Sequence, residues 1–115
     1  MRHLNIQLQP ERASSLDMSR TRQVIESLAK DRTVVGGFEM KEGDDEGPYV
    51  NFTFAAKNPA ALWANIQRNV LSHPEIGPGV SSSSIIIVEG DEGWDDYLLL
   101  HHFDPQYEVD EADEL

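Results

Sequence analysis

Apolar and polar positions along this chain change period several times, and each period predicts an element. In "HLNIQL", residues 3–8, Leu4, Ile6 and Leu8 point one way and His3, Asn5 and Gln7 the other. That alternation predicts a half-buried strand ending at Pro10. In "SRTRQVIESLAKD", residues 19–31, Thr21, Val24, Ile25 and Leu28 fall on one helical face, with Asp17 or Ser19 as the N-cap. Period two returns in "TVVGGFEMK", with Val34, Phe38 and Met40 on one side. The adjacent Gly36 and Gly37 predict a bulge or a close backbone approach within that strand. After the turn composition of "EGDDEGP", the segment "YVNFTFAA" sets Val50, Phe52 and Phe54 against Tyr49, Asn51 and Thr53, so the two strands form a hairpin.

"NPAALWANIQRNVLSH", residues 58–73, reads as a second helix. Asn58 caps it, Pro59 takes the first helical position, and Leu62, Trp63, Ile66 and Val70 form the apolar stripe. "PEIGPG" stops it, and "SSSSIIIVEG" is expected to be a strand buried on both faces, because Ile85–Val88 is an unbroken apolar run. "DYLLLHHF" supplies a last strand. The order β-α-β-β-α-β-β begins with the six elements of a split β-α-β, or ferredoxin-like, sandwich. The fold class expected is therefore α+β: an antiparallel sheet covered by two helices, with the final strand added as a C-terminal hairpin. Residues 1–104 make a single domain. Residues 105–115 are an acidic tail, frayed or ordered by a partner.

Charge changes this picture more than composition does. The formal charge is −12, and it is lopsided: residues 1–41 carry seven Lys/Arg and five Asp/Glu, whereas residues 42–115 carry two and sixteen. Such a chain lacks the clustered cations that bind phosphate backbones, so direct nucleic-acid contact is excluded as the main activity. Anionic membrane surfaces are disfavoured for the same reason, and a basic protein partner is favoured. The chain has no cysteine, which removes disulfides, thiol catalysis and Cys-ligated zinc. With no apolar run of signal-peptide or membrane-spanning length, a cytoplasmic location is expected.

The densest charge lies in "EGDEGWDD", residues 89–96, between two apolar strands. A solvated turn would account for it. The sharper reading is a docking surface on which Glu89, Asp91, Glu92, Asp95 and Asp96 attract cations and Trp94 supplies an anchor. A second acidic turn holds Glu42, Asp44, Asp45 and Glu46; whether the two meet depends on strand order. Neither has the spacing of a twelve-residue calcium loop, so no metal and no cofactor are assigned. His101 and His102 are neighbours in a strand and point to opposite faces, which forbids a shared chelate. One accompanies Tyr97, Leu99 and Phe103, the other Leu98 and Leu100. "SSSS" lacks a nucleophile-elbow context and the glycines match no phosphate-binding loop. No catalytic residue is assigned.

Two functions lead, ahead of a third, a homo-oligomeric structural or adaptor protein that would self-associate through the sheet face or an edge strand. In the first, a small acidic domain neutralises or escorts a basic partner, its carboxylates standing where a nuclease-type toxin expects phosphates. This is the general character of bacterial immunity proteins, a likeness carried by no motif. In the second, a homodimeric ligand-binding protein or enzyme uses the polar sheet face, where His3, Asn5, Tyr49, Asn51, Thr53 and one of His101 or His102 would meet a small molecule.

Overall fold

The computed structural model describes residues 1–112 and 115. Its strands are β1 Arg2–Leu8, β2 Val35–Asp44, β3 Pro48–Ala56, β4 Ser84–Gly90 and β5 Gly93–His102. They form one antiparallel sheet in the order β2-β3-β1-β4-β5. The helices are α1 Met18–Ser27, α2 Pro59–Ile66 and α3 Gly77–Ser81.

The alternation read from the sequence sets the two faces. Leu4, Ile6 and Leu8 of β1, Phe52 and Phe54 of β3, and Ile86 and Val88 of β4 are fully buried. They pack with Ile25 of α1, Leu62 and Ile66 of α2 and Val80 of α3 in one core. Each such side chain contributes about 1.5–3 kcal/mol by leaving water. Phe38 of β2 lies against Phe54 at 5.0 Å between ring centroids. The register shifts between Val35 and Gly37, which places the expected bulge at Gly36. Asp17 caps α1, its carboxylate accepting from the Arg20 N–H at 3.0 Å. Asn58 caps α2 in the same way through Ala61 N–H, with Pro59 following it. Trp63 is buried in the core, as its place on the stripe predicts.

Two expectations are corrected. The helical layer has a third member: α3 occupies Gly77–Ser81, and β4 starts only at Ser84. Pro78 suits the first turn of a helix, and the Ser82 N–H bonds back to Pro78 O at 3.1 Å. The Ser83 hydroxyl donates to Gly79 O at 2.6 Å, so these serines finish a helix instead of opening a strand. Nor is the apolar run of β4 buried on both sides. β1 is the central strand; Ile86 and Val88 face the core, while Ile85 and Ile87 are only half-buried on the opposite face.

Candidate functional site

The strand register separates the two acidic turns. Leu8 lies opposite Val50, and Val50 opposite Glu42, so the β2–β3 turn with Asp44, Asp45 and Glu46 sits at the C-terminal end of β1. Leu4 lies opposite Val88, which puts the β4–β5 turn at the other end. Because β2 and β5 are also the two edges, the turns occupy diagonally opposite corners of the sheet. They do not form one acidic patch.

At the β4–β5 corner, Asp91 and Glu92 make the tight turn, and Gly93 follows with φ +80°. That left-handed conformation is what a glycine supplies when a hairpin turn ends in a bulge. Two of the five carboxylates have cationic or donating neighbours from β1. The Arg2 guanidinium meets Asp91 at 2.7 Å. Glu89 accepts from the His3 backbone N–H at 2.7 Å and also contacts the His3 ring Nδ1. Glu92, Asp95 and Asp96 are exposed. Trp94 is 42 % exposed, and so has not folded back into the core.

The face of the sheet away from the helices is polar in its middle. Thr53 Oγ1 donates to Asn5 Oδ1 at 2.8 Å, and Asn5 Nδ2 donates to Asn51 Oδ1 at 3.1 Å. Two hollows adjoin this ladder. One, of about 460 Å³, lies between the Pro10–Arg12 turn and the β2–β3 turn and is lined by Gln7, Arg12, Glu46, Tyr49 and Asn51. Tyr49 reaches it by lying over Gly43, where any side chain would collide with the phenol ring. The other hollow, of about 360 Å³, is bounded by Asn5, Gln7, Ile85, Ile87, Leu99 and Tyr97, with His102 and Tyr107 closing its end.

The two histidines do part company, but a bulge decides which goes where. Ile86 pairs with His101 and Ile87 with Leu99, so Leu100 is the extra residue. The bulge reverses simple alternation: His102 joins Tyr97 and Leu99 on the open face. The His101 ring instead donates through Nε2 to Ser81 O of α3 at 2.8 Å. Of the residues expected on the open face, Asn51, Tyr49 and His102 line its hollows. His101 ties β5 to the helical layer, and His3 faces Glu89.

The C-terminal segment, expected to fray, returns along the free edge of β5. Asp110 N–H donates to Leu99 O at 2.8 Å, and Asp110 Oδ2 accepts from Leu99 N–H at 2.7 Å. The Tyr107 ring stacks on His102 with centroids 3.8 Å apart and planes 8° from parallel. Arg12 lies over the Phe103 ring at 3.8 Å. Asp113 and Glu114, part of the same acidic tail, lie outside the described residues. His102 Nδ1 accepts from Asp104 N–H at 3.0 Å, which assigns its proton to Nε2. Burial holds the His102 pKa below the usual imidazole value; Asp104 opposes this, while His101 and Arg12 add to it.

The buried Ser84 hydroxyl has no hydrogen-bond partner among the described residues. Among the described residues, no group of three or more His, Cys, Asp or Glu is placed to hold a metal ion. No described helix is long and apolar enough to cross a membrane. Sequence reasoning missed the Asp110 clamp and the Tyr107 stack; the only sequence signal was the pair of apolar residues, Tyr107 and Val109, within the charged tail. No protein-family model, curated protein or solved structure matches this chain.

Proposed function

We propose that this chain is a protein-binding domain that docks a basic protein on its β4–β5 hairpin and thereby neutralises or escorts it. The observation that carries the reading is the exposed Trp94 among the exposed Glu92, Asp95 and Asp96. Tryptophan joins a large contact area to an N–H donor and is enriched at binding hot spots. Clustered carboxylates around it speed encounter with a cationic surface. In a nuclease-type toxin that surface would be the phosphate-binding cleft, and Glu92, Asp95 and Asp96 would stand where phosphates do. The Asp44, Asp45 and Glu46 turn, at the far corner, adds only to the long-range field. A reducing compartment such as the cytoplasm suits a chain with no cysteine.

We also read the first six elements as the ferredoxin-like arrangement. The order β2-β3-β1-β4 supports this, with helical connections between β1 and β2 and between β3 and β4. The second functional reading, a homodimeric ligand-binding protein or enzyme, draws its support from the hollows on the open sheet face.

The test is capture of partners on the intact protein at low salt, followed by elution in a salt gradient and rebinding of the purified partner. The expected result is a basic protein that rebinds one-to-one and loses most of its affinity to W94A and to E92Q/D95N/D96N, with Tm little changed. A partner that binds these variants as well as the wild type contradicts the hairpin site.

A further inference from the structure

Independently of the hairpin reading, we infer that the hollow on the open face of β1, β4 and β5 is a binding site for a small, uncharged, planar nitrogen heterocycle, and that Tyr107 occupies the ring position of that ligand. Three features of the hollow point to this chemistry. Its floor is apolar where Ile85, Ile87 and Leu99 meet, which suits a ring face. Beside the floor stand the side-chain amides of Asn5 and Gln7; Asn5 bonds to Asn51 and Thr53 and Gln7 accepts from Gln9, and the remaining N–H groups and lone pairs of the two amides suit a ring edge carrying acceptors and donors. At its end the imidazole of His102 already holds an aromatic ring in parallel contact at 3.8 Å.

That ring comes from the chain's own tail and is held lightly. Tyr107 is 57 % exposed, and Val109 beside it is 48 % exposed. Beyond the stack, this stretch is fixed by the Tyr107 N–H to Asp104 O bond at 3.1 Å and by the Asp110 clamp at Leu99. A ligand can therefore displace the phenol without opening the core. Charge selects further. The groups around His102 are Asp104, His101, Arg12 and Tyr107, with Glu11, Asp45 and Glu46 along the adjoining hollow. The lining of the hollow holds no Lys or Arg to pair with an anionic ring, and the net charge of −12 disfavours one. The requirement is a ring that stacks and also hydrogen-bonds along its edge, without a negative charge.

Adenine is the probe and benzoate the anionic control, each titrated into the full-length protein while the His102 and Tyr107 ring signals are followed by NMR. Adenine is expected to give saturable shifts at both rings, and benzoate none. In Y107A, where the internal competitor is gone, adenine should bind about threefold to tenfold tighter, the range expected for one aromatic pair; Y107L should behave similarly. H102A, with its folded amide spectrum verified, should lose the binding. Absence of saturable shifts in both wild type and Y107A overturns the inference. So does equal binding by H102A, or binding of benzoate as strong as that of adenine. None of these results bears on Trp94 or on capture of a basic protein.

Discussion

The two ends of β5 are treated differently by the rest of the chain. At its start, Trp94, Asp95, Asp96 and Tyr97 are exposed, and Arg2 of β1 pairs with Asp91 on the adjoining turn. At its far end, Leu99 is clamped by Asp110, His102 is covered by Tyr107, and His101 is tied to α3. An edge strand offers unpaired backbone groups to any passing strand, and chains commonly blunt it with charge or cover it. Here one strand uses both devices: carboxylates at one end and the chain's own tail at the other. The difference separates two kinds of recognition. In the readings proposed above, the charged end meets another macromolecule through its field, and the covered end admits something small by exchange with a side chain.

The comparison depends on the far end of β5 being anchored to the core by Leu100, which is buried at the bulge. The largest expected effect is therefore that of L100A. It should cost about 2–5 kcal/mol in denaturant unfolding, the usual range for a buried leucine. A loss below about 1 kcal/mol, outside that range, would show that the far end is not anchored through this residue.

A smaller effect is expected at the covered end alone. D110A removes the carboxylate that accepts from Leu99 N–H. It should lower stability by about 0.5–1.5 kcal/mol and speed hydrogen exchange at the Leu99 amide while leaving exchange at Trp94 unchanged. Equal acceleration at both amides would erase the distinction between the ends.

The smallest effect is one of pH. Burial favours neutral His102, so the folded chain holds fewer protons there than the unfolded chain at pH values between the lowered pKa and the ordinary one of about 6.5. The stabilisation is fully present above the ordinary value and is lost as pH falls through that window. NMR titration should place His102 below the ordinary midpoint, and Y107A should move it upward by exposing the ring. Comparing the pH–stability profiles of wild type and H102Q isolates the contribution of this group from the titration of the acidic turns.

Much of this architecture is legible in the sequence, because period and capping are local. The alternations of β1 and β3, the Asp17 and Asn58 caps, the Gly36 bulge and the buried Trp63 all follow from neighbouring residues. What could not be read has long-range causes. Helix α3 hides in a stretch rich in proline, glycine and serine, and is held by packing of Val80 in the core and by the His101 ring on Ser81 O. The Leu100 bulge leaves no residue signature, yet it decides that His102 and not His101 faces the open side. The separation of the acidic turns depends on strand order, and the ordering of residues 104–112 depends on partners in β5. For the candidate site, residue type pointed to Trp94 and its carboxylates; only the register showed that Asp44, Asp45 and Glu46 stand at another corner.

The most direct test of the central claim is the salt dependence of affinity for the captured basic partner, measured with wild type, W94A and E92Q/D95N/D96N. If the β4–β5 hairpin is the docking site, affinity for wild type falls steeply with salt, the triple carboxylate variant flattens that slope, and W94A lowers affinity at every salt concentration without changing it. An unchanged slope in the carboxylate variant, together with full affinity in W94A, would contradict the account and return the hairpin to the role of a solvated turn.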